Sequence, residues 1–291
     1  MHESFDVVAR STVERLEKEF GGKVRKTYPR NISPKSIGIE IEIKFKYLFP
    51  DLHEKYFSDP TKKYYTRSIE EKQKITEEIN VAEKDILKLF EKTVECGVPK
   101  GLDRYWEFAL NPVYDTNLIL YQIDILEQVE LIPKGYHSLH INIGDVALNK
   151  KAYIVTGALQ LLYVRKERII EGVGDCLNPV TWSKKGRAGI RKKTVFQLVN
   201  SDEGYEIRLL EYTDLETLDK IFRFLTYYLE ESNSEYEKLE KYMSDLLIKY
   251  NLPDKNWENP TTNPMIWTKY VEKFEDMSRE IKENEYFKKF I

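Results

Sequence analysis

The chain has 291 residues, 41% of them hydrophobic and 33% charged, enough apolar material for one large domain or one domain with an appendage. Its net charge of −3 and isoelectric point near 6.0 supply no global field to gather nucleic acid or an anionic membrane. Two cysteines far apart, Cys96 and Cys176, no charged-then-apolar leader and no apolar run near the ~18 residues of a membrane span point to a reducing, cytoplasmic setting.

In chain order, the first informative segment is Ile37-Gly38-Ile39-Glu40-Ile41-Glu42-Ile43-Lys44-Phe45, whose strict alternation predicts a β-strand. Ile37, Ile39, Ile41, Ile43 and Phe45 form one face and Glu40 and Glu42 share the other. Glu is depleted in strands, so the pair stands out, although a wet outer face is ordinary for an antiparallel strand. Residues 48–66 read as an irregular excursion. Ser68-Ile69-Glu70-Glu71 is a capping box opening a helix with Ile75, Ile79, Ala82, Ile86 and Leu89 on one stripe and Gly97 beyond its end.

Around Tyr105-Trp106-Glu107-Phe108-Ala109-Leu110 a second strand turns Trp106, Phe108 and Leu110 to the core and Glu107 to the polar side. Asn111-Pro112 is read as the start of a helix running to about Ile132. In Leu139-His140-Ile141-Asn142-Ile143, His140 and Asn142 take the polar side, whereas His137, three residues before His140, faces the opposite way and reads as a packed or solvated residue. A helix over about 149–170 follows, with Ala158, Leu161 and Leu162 inward. Tyr205-Glu206-Ile207-Arg208-Leu209 then sets Glu206 and Arg208 on one face, with Ile207 and Leu209 on the other. Asp214 is the expected N-cap of a helix bearing Leu215, Leu218, Phe222, Leu225 and Leu229. Two further charged helices, divided by the link 252–264, carry Tyr236, Tyr242, Tyr250, Trp267, Tyr270 and Phe274, read as packing on the core in preference to a partner-binding stripe.

If the polar faces belong to one sheet, Glu40, Glu42, Glu107 and Glu206 converge with His140, and carboxylates so close require cations between them. Carboxylate oxygens suit Mg²⁺, and the imidazole extends the choice to Mn²⁺. Zinc fits poorly, since no Cys-x-x-Cys or His-Glu-x-x-His motif is present.

The ordered set Gly38-Ile39-Glu40-Ile41-Glu42, Glu107 followed by Asn111-Pro112, Ser138-Leu139-His140-Ile141-Asn142, Arg187 with Arg191, and Glu206-Ile207-Arg208 resembles the glutamine synthetase-like carboxylate–amine ligases, above all the γ-glutamylcysteine ligases and the amidoligases. The resemblance covers about residues 36–212, with an unmatched insertion at 48–98 and nothing recognisable after 214. It implies an α+β fold in which a curved, mainly antiparallel sheet carries the site on one face with helices on the other. Residues 1–232 would form the ATP- and metal-binding catalytic domain and 233–291 a C-terminal helical extension.

By the same resemblance, Glu40 and Glu42 each serve a different cation, Glu107 joins Glu42, and His140 and Glu206 join Glu40. Arg208 would face the transferred phosphoryl group or the acceptor carboxylate, with Arg187 and Arg191 as further catalytic cations. The segment 182–193, with six basic residues and two glycines, reads as a lid in which Lys185, Arg187, Arg191 and Lys193 close over the phosphates, against a solvated basic loop or, less favoured, a nucleic-acid patch.

The implied reaction is ATP-dependent amide formation between a small-molecule or peptide carboxylate and an amine, through an acyl phosphate. Family members often form rings or dimers, so a homo-oligomer is open. Two departures are visible: Ser138 and Asn142 replace a Gly and a His of the family's Gly-x-His-x-His, and Asp103-Arg104-Tyr105-Trp106 lacks the usual small residues. The alternatives are a metal-dependent phosphohydrolase or nuclease, a catalytically silent nucleotide- or partner-binding relative, and a guanidino-phosphate kinase.

Overall fold

The computed structural model describes residues 2–59, 61, 66–90, 105–133, 135–144, 146, 150–167, 169, 198–201, 204–230, 234–252 and 264–291, with 2–4, 83, 85–90, 105–107, 198–201, 209 and 264–269 described by backbone alone. It is a mixed α and β structure built on one antiparallel sheet. The strands are β1 (Ile32–Lys44), β2 (Tyr105–Asp115), β3 (His137–Gly144), β4 (Leu198–Ser201) and β5 (Gly204–Tyr212), in the order β2-β1-β3-β5-β4. The helices are α1 (His2–Phe20), α2 (Phe45–Leu48), α3 (Pro50–Phe57), α4 (Ile69–Phe90), α5 (Asn117–Gln128), α6 (Lys150–Tyr163), α7 (Leu215–Leu229), α8 (Glu235–Lys249) and α9 (Pro264–Glu283), ending in a 3₁₀ turn, Lys288–Phe290.

The core lies on the side of the sheet chosen by the alternation. Ile37, Ile39, Ile41 and Ile43 of β1, Phe108 and Leu110 of β2, Leu139, Ile141 and Ile143 of β3 and Ile207 of β5 are all buried, in one cluster with the apolar residues of α5, α6 and α7. Each such aliphatic side chain contributes about 1.5–3 kcal/mol on removal from water, which fixes the register, because a one-residue slip would turn the glutamates into this core. Helix α4 begins at the expected capping box: Ser68 N–H donates to Glu71 Oε2 (3.0 Å) and Glu71 N–H to Ser68 Oγ (3.2 Å). Asp214 caps α7 by accepting from Thr217 N–H at 2.8 Å.

Helices α8 and α9 pack on α6, Ser278 donating to the Leu161 carbonyl at 2.6 Å. Leu239, Met243, Tyr270, Phe274 and Phe287 are buried in the same cluster as the sheet.

Several expectations need correction. Asn111-Pro112 does not open a helix; β2 runs through it to Asp115, and the helix begins at Asn117. The pairings Ile37↔Val113 and Ile39↔Leu110 leave two residues of β2, Asn111 and Pro112, against one of β1, Gly38, a bulge at Asn111-Pro112. Pro is tolerated at a bulge in a strand at the end of the sheet because no ladder bond needs its missing N–H. Helix α5 then stops at Gln128, not Ile132, where Glu130 enters the left-handed region (φ 59°) and Leu131 N–H bonds back to the Leu126 carbonyl. Phe45 opens α2 and does not end β1, though its ring is still buried, and much of 48–57 is the short helix α3. Helix α1, which packs on α5 and β2, was not anticipated; Asp6 fastens it by accepting the backbone N–H groups of Tyr114 (2.8 Å) and Asp115 (3.2 Å).

Among the described residues no helix is long and apolar enough to cross a membrane.

Candidate metal centre on the polar face of the sheet

Three neighbouring strands bring the polar residues together. In the β1–β3 register Glu40 lies opposite His140, Glu42 opposite Ser138 and Gly38 opposite Asn142; in the β3–β5 register Asn142 lies opposite Glu206. Residues opposite each other share a face, so Glu40, Glu42, Ser138, His140, Asn142 and Glu206 stand on the face turned from the core. Glu107 is opposite Glu42 in the β1–β2 register. Its side chain, and the predicted lid residues Lys185, Arg187, Arg191 and Lys193, lie outside what is described.

His140 is the hub, with only 6% of its side chain exposed. Nδ1 is 3.4 Å from Glu40 Oε2 and 3.2 Å from Glu206 Oε1; Nε2 faces Glu42 Oε2 at 3.8 Å and Ser138 Oγ at 3.5 Å. Each of the two nearest carboxylates is held through one oxygen and turns the other to the imidazole. Asn142 Nδ2 donates to Glu40 Oε1 (3.1 Å), and Arg208 Nη2 donates to Glu206 Oε2 (3.0 Å). Glu206 Oε1 also has Arg208 Nη2 at 2.9 Å and His140 Nδ1 at 3.2 Å, yet neither contact has hydrogen-bond alignment, which leaves this buried oxygen without a hydrogen bond. The Arg208 Nε–H is likewise buried without an acceptor.

The electrostatics follow from this crowding. Burial by itself would push the His140 pKa down, but the adjacent carboxylates of Glu206 and Glu40 and the charge of Glu42 outweigh it and raise the pKa above the usual imidazole value. Burial would raise Glu206, and His140 and Arg208 overcome that and hold its carboxyl below the usual range. At ~4 Å two like charges near a protein surface repel by about 4 kcal/mol, so the cluster needs cationic partners.

No protein-family model, no characterised protein and no solved structure matches the chain. The residues themselves therefore carry the chemical argument.

One ligand atom each from Glu40, His140 and Glu206 lie within 4.8 Å of one another, the one such grouping of three among the described residues. Neighbouring ligands on an octahedral ion bound at about 2.1 Å are about 3 Å apart, close to the 3.2 and 3.4 Å separations from Nδ1. Together with the buried Glu206 oxygen that lacks a hydrogen bond, this donor set of two carboxylates and one imidazole could hold a divalent metal ion.

His137 is elsewhere. It stacks on Tyr212 (6.5 Å, 10° between planes), donates Nε2–H to the Pro133 carbonyl at 2.6 Å, and is buried on the opposite side of β3.

Two features of the polar face go beyond what alternation expresses. Leu139 pairs with Leu210 and Ile141 with Ile207, so two residues of β5 oppose one of β3, and beyond this bulge Leu210, not Leu209, occupies the core register. The bulge also places Glu211 opposite Ser138, on the same face as Glu206 although the two are an odd five positions apart. Glu211 is gripped by Arg165 (Nε to Oε2 3.0 Å, Nη2 to Oε1 2.7 Å), whose guanidinium lies 4.0 Å over the Tyr136 ring. Asn142 is the second: its contact to Glu40 has no signal in the sequence beyond its place two residues after His140.

Proposed function

We propose that the chain is an ATP-dependent carboxylate–amine ligase that works through an acyl phosphate. The observation that carries this reading is the convergence of Glu40, His140 and Glu206 from three strands, with Glu42 and Glu107 opposite each other one step along β1 and the Arg208 guanidinium beside them. The ordered motifs supply the reaction class, and the geometry is the support for a divalent-cation site.

In this reading Glu40, His140 and Glu206 hold one divalent cation and Glu42 and Glu107 a second. When bound, the cations neutralise the ATP phosphates and polarise the transferred phosphoryl group. The remaining work falls to positioning by this chain. Arg208 is anchored to Glu206 through Nη2 and still has the buried Nε–H, an N–H with which to orient an oxyanion. The substrate carboxylate oxygen takes the γ-phosphoryl group from ATP, releasing ADP; the amine attacks the acyl carbon, phosphate leaves, and the amine proton is lost. Crowded carboxylates on a sheet surface suit this reaction because it is driven by placement and charge stabilisation more than by a side-chain nucleophile.

Isothermal titration of a non-hydrolysable ATP analogue with Mg²⁺, with Mn²⁺ and with EDTA tests the proposal. It predicts micromolar binding that needs metal and is lost in Glu40→Ala. Metal binding without any nucleotide binding would overturn the ligase reading in favour of a phosphohydrolase, which takes its own phosphate ester and needs no ATP.

A further inference from the structure

Asn142 is a neutral amide among the charged groups of the polar face, and its position is peculiar. Its partner on β1 is Gly38, which puts no side chain beside it, and its partner on β5 is Glu206. The amide reaches diagonally to Glu40 and donates to Oε1, while Oε2 of the same carboxylate faces His140 Nδ1. Glu206 is treated in parallel, Arg208 holding Oε2 while Oε1 faces the imidazole. Both carboxylates are thereby turned edge-on, each offering one oxygen.

Denticity is what separates the common divalent cations. Ca²⁺ takes about 6–8 oxygens at about 2.3–2.6 Å and favours bidentate carboxylates, whereas Mg²⁺ binds six ligands at about 2.0–2.1 Å, keeps several waters and accepts single oxygens. Mn²⁺ accepts imidazole as well as oxygen. We infer that Asn142 is a specificity-determining positioning residue: by occupying Glu40 Oε1 it holds Glu40 to one-oxygen coordination and makes the site select Mn²⁺ or Mg²⁺ against Ca²⁺. The inference rests on the metal-site reading above and adds to it a residue that touches no cation itself. Outer partners of metal ligands commonly alter affinity by about 10–100-fold; here the change falls unequally on the two kinds of cation.

The test is titration of the full chain and its variants with Mn²⁺, Mg²⁺ and Ca²⁺ separately, without nucleotide, with a thermal melt as the folding control. The wild type is expected to bind Mn²⁺ more tightly than Ca²⁺. In Asn142→Ala, Glu40 is released to swing into bidentate coordination, and the Ca²⁺ to Mn²⁺ ratio of dissociation constants falls about tenfold. Asn142→Leu keeps the side-chain volume without the donor and should show the same fall, which decides the matter if the alanine variant does not fold. An unchanged ratio, whether affinity is unaltered or falls equally for all three ions, overturns the inference and leaves the metal site standing. A wild type that binds none of the three overturns both.

Discussion

His137 and His140 sit three residues apart on β3, and the sheet turns them into different chemical groups. His137 lies against Tyr212 and Tyr47, gives its one N–H to a backbone carbonyl, and has its other nitrogen buried without a hydrogen bond; burial holds its pKa below the usual value, so it is a neutral core residue. His140 faces Glu40, Glu42 and Glu206, and those carboxylates raise its pKa in spite of deep burial. The core face suppresses charge and gains stability from apolar burial. The polar face concentrates charge around one imidazole.

The difference can be broken most forcefully by truncation. Ile141→Ala, on the core face with His137 and fully buried, should cost about 2–5 kcal/mol in urea unfolding. Glu42→Ala, one strand away on the other face, should leave metal-free stability unchanged or slightly higher, because it removes one of several crowded carboxylates. Comparable losses from the two would show that the polar face is structural.

A smaller, sharper effect is the pH dependence of the metal-free protein. The folded pKa of His140 is raised, so its contribution is complete below the unfolded value of about 6.5 and is lost as pH rises through the folded value. The folded pKa of His137 is depressed, so its contribution is present above about 6.5 and is lost as pH falls through the folded value. Each slope is limited to about 1.4 kcal/mol per pH unit. Urea unfolding across pH 5–8 should therefore lose its alkaline-side slope in His140→Gln and its acid-side slope in His137→Gln; the same slope lost in both would contradict the two environments.

The core face was legible because alternation in β1, β2 and β3 writes burial directly into the sequence, and the site residues Glu40, Glu42, His140 and Glu206 followed as its complement. What escaped was register. A β-bulge is set by pairing between distant strands, so neither the one at Asn111-Pro112 nor the one in β5 has a local signature. The first turned a strand into an expected helix, and the second hid Glu211 and moved the core position from Leu209 to Leu210. The Asn142 contact to Glu40 is a diagonal between strands, with side-chain-free Gly38 opposite Asn142, a cross-strand relation that single-strand periodicity does not express. Helix α1 owes its place to packing on α5 and to the Asp6 contacts, both more than 90 residues away in sequence.

The most direct measurement is anomalous diffraction from crystals grown with Mn²⁺ and an ATP analogue. The account predicts a manganese peak bounded by Glu40, His140 Nδ1 and Glu206, with Asn142 still bonded to the far oxygen of Glu40. Manganese bound only away from these three side chains, or none at a concentration that supports nucleotide binding, would contradict it.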